Sequence, residues 1–191
     1  MLLTVKQRQT RLKALGFYDG KIDGKNGSKT KAAVVKLQNK YFTRNSDKDG
    51  IYGKDTDILL RNAYAVKLYC ENFKLTEFKC ECGGRYCTGY PVKLNVNLLK
   101  NIQTLRNEYG STTITSGLRC KPYNNSLVGS SATSYHMKGK AIDFANQYSS
   151  TLAGRRKIMS YWKKLPSAGY TYCNENGSNP NMGNAIHVQV K

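Results

Sequence analysis

Apolar residues recur at helical spacing over three stretches of the first third of the chain. Val5, Leu12 and Leu15 form one stripe that stops at Gly16; Ala33, Val34 and Leu37 form a second; Ile58, Leu59, Ala63 and Val66 form a third. Three short amphipathic helices joined by turns predict a compact helical bundle over residues 1–67. Residues 67–91 lose this periodicity and read as a linker with an irregular cysteine-bearing loop that ends at Pro91. Beyond it Leu98, Ile102, Leu105 and Tyr109 predict a helix closed by Gly110, and Thr112–Thr115 a strand. A strand through Ala141–Phe144, a helix from Leu152 to Leu165, and strands through Tyr170–Tyr172 and Ala185–Val190 complete the pattern. The expected fold class is α+β: a three-helix bundle (residues 1–67) followed by a mixed domain (residues 68–191) with a small, mostly antiparallel sheet.

An internal repeat marks the first unit. Asp23–Thr30 and Asp49–Thr56 share the pattern DGxxGxxT. Asp-Gly makes a tight turn, the second Gly is expected to take positive φ, and a polar residue near the Thr is expected to cap the following helix. For Tyr18, Tyr41 and Tyr52, packing in the core or at its rim is at least as good a reading as stacking on sugars.

Charge narrows the partners. Lys and Arg number 31 against 12 Asp and Glu, a formal charge of +19 spread along the chain, so a polyanion is expected. No recognition-helix, zinc-finger or RNA-binding motif is present, which argues against nucleic acid and leaves anionic wall polymers or lipid. No apolar run approaches the ~20 residues of a membrane-spanning helix, and Met1–Val5 is too short for a signal-peptide core, so neither membrane insertion nor a leader is expected. The cysteines at 70, 80, 82, 87, 120 and 173 all lie beyond the bundle. Disulfides or packed free thiols are favoured over a second metal, because Lys79–Cys87 is tighter than ordinary CxxC knuckles.

The chain has two histidines. His136 opens Ser134–Asp143, the pattern SxHxxGxAxD: Gly139 lets the backbone turn, and Ala141 and Asp143 share one face of a strand while Ile142 and Phe144 face the core. In the last strand Ile186, Val188 and Val190 point one way, His187 and Gln189 the other. Two imidazoles and a carboxylate form a three-ligand Zn2+ set with an open fourth position, as catalytic zinc requires.

These residues carry two resemblances. Leu12, Leu15–Tyr18, both DGxxGxxT turns and Leu37-Gln38 resemble the peptidoglycan-binding domain found beside wall hydrolases, with Arg8-Gln9 where that family more often has Leu-Gln. The SxHxxGxAxD segment resembles the zinc peptidases that include D-Ala-D-Ala carboxypeptidases, dipeptidases and phage L-alanoyl-D-glutamate endopeptidases. That resemblance implies His136, Asp143 and His187 as metal ligands. It also implies that Arg119, in Thr115–Arg119, positions substrate or polarises its carbonyl. It implies a carboxylate base three residues before the last His or an Asp two after it, where this chain has Asn184 and Gln189, neither of which accepts a proton usefully at neutral pH. Glu175 is the nearest preceding carboxylate and the candidate base. The implied function is an endolysin-like peptidoglycan peptidase acting at the cell wall on peptidoglycan; the charge adds anionic wall polymers as partners, the expected lack of a leader favours release through membrane lesions, and a monomer is expected. The alternative is a wall-binding protein, non-catalytic or weakened, that keeps zinc as structure.

Overall fold

The computed structural model describes residues 1–191. Its first unit is three helices, α1 (Val5–Ala14), α2 (Ser28–Tyr41) and α3 (Lys54–Tyr69). Thr4 opens α1 with a capping box: its hydroxyl accepts from Gln7 N–H, and the Gln7 side chain accepts from Thr4 N–H. Leu12, Leu37 and Leu59 are fully buried where the three stripes meet.

The repeat is built differently from its sequence expectation. In each copy the first glycine takes positive φ (Gly24 78°, Gly50 74°), whereas the second, Gly27 or Gly53, lies at −81° or −93° and caps the helix without a side-chain hydrogen bond. The turn is instead organised by a buried glutamine from the preceding helix. Gln9 Nε2 donates to Asp23, to the Lys25 carbonyl and to Thr30, while Gly24 N–H donates to Gln9 Oε1. Gln38 repeats the set with Asp49, Ile51, Thr56 and Gly50. The threonines therefore close a buried polar network, which burial makes obligatory for each polar group in it. Tyr18 and Tyr52 have packing roles: Tyr18 is buried, with its hydroxyl donating to the Lys21 carbonyl, and Tyr52 donates to Asp57.

The boundary expected at 67/68 falls inside α3, and the segment after that helix is no loose linker. Cys70, Phe73, Leu75 and Phe78 are buried in a core that runs unbroken from the bundle to the sheet. Asn62 on α3 ties the halves: its side chain donates to the Val92 carbonyl and accepts from Leu94 N–H.

The second unit comprises α4 (Val96–Tyr109), β1 (Thr112–Ser116), α5 (Lys121–Ser126), β2 (Ala141–Asn146), α6 (Leu152–Trp162), β3 (Ala168–Cys173) and β4 (Ile186–Val190). Asn95 caps α4 through the N–H groups of Asn97 and Leu98, and Gly110 ends it at φ 79°. The sheet order is β1-β2-β4-β3, every pair antiparallel, an α+β architecture. Ile142, Phe144, Ile186, Val188 and Val190 turn to the core with Trp162 of α6 and Leu98 and Ile102 of α4. At about 1.5–3 kcal/mol for each fully buried large side chain, this face fixes the register, because a one-residue slip would turn Asp143 and His187 into the apolar core in its place. No helix is long and apolar enough to cross a membrane.

Candidate metal centre

The antiparallel register sets one row of side chains across all four strands. Ser116 lies opposite Asp143, Asp143 opposite His187, and His187 opposite Tyr172. An irregularity between Ile114 and Ser116 brings Ser116 into this row. His136 reaches it from a short 3-10 turn, Tyr135–Lys138, that ends at Gly139 with φ 66°. A Cβ at Gly139 would lie 2.0 Å from the Lys93 carbonyl oxygen, so the turn needs glycine for both conformation and space.

Three ligand atoms converge. His136 Nε2 is 3.3 Å from His187 Nδ1 and 3.3 Å from Asp143 Oδ1, and His187 Nδ1 is 2.7 Å from Asp143 Oδ1. All three residues are buried. His136 Nδ1 lies 2.7 Å from the Gly117 carbonyl, which only accepts, so Nδ1 carries the proton and Nε2 presents its lone pair. His187 places Nε2 3.4 Å from Gln189 Oε1; a proton there turns the Nδ1 lone pair inward as well. With both imidazoles in these tautomers, the three atoms face one point, where a single cation would satisfy all of them.

The spacing suits zinc. Bonds of 2.0–2.1 Å in a tetrahedron place ligand atoms about 3.3 Å apart, which two of the three edges match, and the third needs to open by about half an ångström. Burial alone would raise the Asp143 carboxyl, but its two imidazole neighbours outweigh it and hold the group well below the usual carboxylate range. Asp143 is thus ionised, as a metal ligand must be.

Surrounding groups lock the ligands. Arg119 Nη2 donates to Asp143 Oδ2 at 2.9 Å and, with Nε, to Ser116 Oγ. Tyr172 stacks on the His187 ring at 4.5 Å and 24°, and Thr171 donates to the His187 carbonyl. Burial first, and then the Asp143 charge, push the Tyr172 phenol upward, so it remains a donor. Sequence reasoning includes Ser116 and Gly117 only as part of the Thr115–Arg119 segment, without a role, and gives Thr171 and Tyr172 no place at the site. The alternation Tyr170-Thr-Tyr172 opposite a His-bearing strand is the one available signal for Tyr172.

The other candidates lie differently. Glu175 is half exposed and pairs with Arg156 at 3.4 Å, outside the converging set. Asn184 Oδ1 accepts from Arg155 Nη1 at 3.4 Å. Arg119, expected at the substrate, is ion-paired with the Asp143 carboxylate at 2.9 Å. Among the cysteines no disulfide forms: all six are free, and Cys70, whose thiol donates to the Leu99 carbonyl and is pushed up to about 12 by burial, is a packed thiol of the core, as is Cys173.

A buried His–Asp–His set on an antiparallel sheet, joined to a three-helix bundle with duplicated turns, defines a metallopeptidase fold coupled to a wall-binding module. Comparison with family models agrees. Residues 71–177 match Peptidase M15 and residues 3–56 match a putative peptidoglycan binding domain. The chain belongs to the peptidase M15 family. The M15 match takes in Arg119, His136, Asp143 and Glu175 and stops before Asn184 and His187. No individual curated protein matches the chain.

Proposed function

We propose that the protein is an endolysin-type peptidoglycan peptidase that holds Zn2+ through His136, Asp143 and His187 and cleaves a peptide bond of the wall stem or cross-link. The observation that carries the reading is the convergence of two imidazole nitrogens and a carboxylate oxygen within 3.3 Å, on a chain that also bears a peptidoglycan-binding domain. When bound, zinc supplies Lewis acidity toward water and a peptide carbonyl.

The chain's own groups do the rest. Arg119 holds Asp143 Oδ2, which would leave Oδ1 for the ion, and its guanidinium would add positive charge beside the site that could help polarise a substrate carbonyl. Glu175, on an exposed segment, is the carboxylate assigned to accept the proton from the attacking water, which requires it to exchange Arg156 for the site. The bundle keeps the enzyme on peptidoglycan and raises the local substrate concentration. The +19 charge attracts teichoic and other anionic wall polymers, so the place of action is the cell wall, outside the membrane.

One observation favours a second reading, a wall-binding protein with little or no catalysis. The two positions where a base is expected carry amides, Asn184 and Gln189, and both amides already have partners, Arg155 and His187. Incubating the zinc-loaded protein with purified peptidoglycan and identifying released peptides by mass decides between them. New amino and carboxyl termini, lost with chelator and with His136→Ala, support the peptidase. Firm co-sedimentation with walls and no release supports the binder.

A further inference from the structure

Cys80, Cys82, Cys87 and Cys120 take no part in peptide hydrolysis, yet their four Sγ atoms lie within 4.8 Å of one another. Cys80 and Cys120 are 3.8 Å apart and Cys82 and Cys87 3.5 Å. Four thiolates around zinc at about 2.3 Å form a tetrahedron with edges of about 3.8 Å. Disulfides would bring sulfurs to about 2.05 Å in pairs and would give no reason for two pairs to meet.

The backbone is shaped to the sulfurs. Gly83, Gly84 and Gly89 take positive φ (64°, 86° and 105°), which coils a loop too short for an ordinary CxxC knuckle around a common centre. N–H groups point inward: Gly89 N–H donates to Cys87 Sγ and Cys120 N–H to Cys80 Sγ, each at 3.4 Å. Donors of this kind favour thiolate over thiol.

We propose that Cys80, Cys82, Cys87 and Cys120 form a second, structural Zn2+ site. Four protein ligands close the coordination sphere, so the site builds structure and does no chemistry. Its role is mechanical. It fastens the Cys80–Cys87 loop to Cys120, next in sequence to Arg119 and close to Gly117, which hold Asp143 and His136. Just before each segment, Leu118 N–H donates to the Phe78 carbonyl at 2.9 Å.

The test uses the full chain, purified under reducing conditions with zinc present. Metal analysis should give two zinc equivalents for the wild type and one for His136→Ala/His187→Ala, the remaining ion showing an all-sulfur shell at about 2.3 Å by X-ray absorption. Cys82→Ser/Cys87→Ser should lose that ion and keep the other. If the cysteine variant fails to fold, cobalt substitution of the histidine variant still reads the site through thiolate-to-cobalt charge-transfer absorption. A wild type with one zinc that the histidine changes abolish overturns the proposal, as does iron as the resident metal or non-reducing mass analysis showing two disulfides. None of these readouts depends on peptide release, so the proposal and the peptidase reading stand or fall separately.

Discussion

The imidazole of His136 donates from Nδ1 to the carbonyl of Gly117 at 2.7 Å, and that single bond decides which nitrogen faces Asp143 and His187. Gly117 can hold its carbonyl there because it packs directly on the main chain of Phe78, where a Cβ would lie 2.5 Å from the carbonyl carbon and oxygen. Gly117→Ala should therefore push the segment away, costing on the order of 1–3 kcal/mol of stability and about 10-fold or more in zinc affinity. Urea unfolding of the metal-free protein and chelator competition measure the two effects. An unchanged affinity would mean the tautomer is set by something else.

Arg119 is placed as a positioning residue for Asp143, and its contribution to metal binding separates this role from direct contact with substrate alone. Arg119→Ala should weaken zinc binding about 10–100-fold in chelator competition, as loss of a ligand's hydrogen-bond partner typically does. Arg119→Lys keeps the charge but loses the fork that spans Asp143 and Ser116, so it should recover only part of that affinity. Full affinity in both variants with lost peptide release would assign Arg119 to substrate only.

Much of this arrangement is legible in the sequence because it rests on local periodicity. The apolar stripes predict α1 to α4, and alternation around Asp143 and His187 predicts two neighbouring strands with both residues off the core. The pattern SxHxxGxAxD also carries its own turn, which Gly139 makes at φ 66°. The features that sequence alone leaves out depend on tertiary contact. Gln9 and Gln38 organise the repeated turns from a preceding helix, so attention to the DGxxGxxT segments by themselves misassigns the second glycine. Residues 70–90 have no period, yet Phe73, Leu75 and Phe78 pack into the core because the segment must cover the seam between bundle and sheet. Cys120 is distant along the chain from Cys87, and no spacing rule anticipates that it joins the loop cysteines. The short helix α5, opened by Pro122 in its first turn, lacks any apolar stripe to announce it.

Acid should loosen the bundle through Asp57. Burial would raise this carboxyl, but Arg61 at 2.6 Å, the Leu3 N–H and the Tyr52 hydroxyl together hold it below its ordinary value. A carboxylate depressed in the folded state contributes stability that is fully present above its unfolded pKa of about 3.9 and is lost as pH falls through the folded value. Asp57→Asn should cost about 1–3 kcal/mol at neutral pH and flatten the acid limb of a stability-against-pH curve below about pH 4. Unfolding midpoints at several pH values check both, and an acid limb as steep in the variant as in the wild type would remove Asp57 from the account.

The base is the most exposed part of the functional proposal, and two substitutions test it together. Glu175→Gln removes the assigned proton acceptor and should lower the rate of peptide release by about 10²–10⁴, the usual contribution of a general base. Asn184→Glu installs a carboxylate beside Arg155, whose Nη1 lies 3.4 Å from the present Asn184 Oδ1. That cation would keep the new group ionised at neutral pH, although it also makes it a weaker base. Release should therefore rise about 10-fold or more when Asn184→Glu is added to Glu175→Gln, with zinc content unchanged. Unaltered release in Glu175→Gln alone would dismiss Glu175 as the base. If wild type and both variants release nothing while all of them bind walls and zinc, the amides at 184 and 189 mark a protein that has kept the metal site and given up hydrolysis.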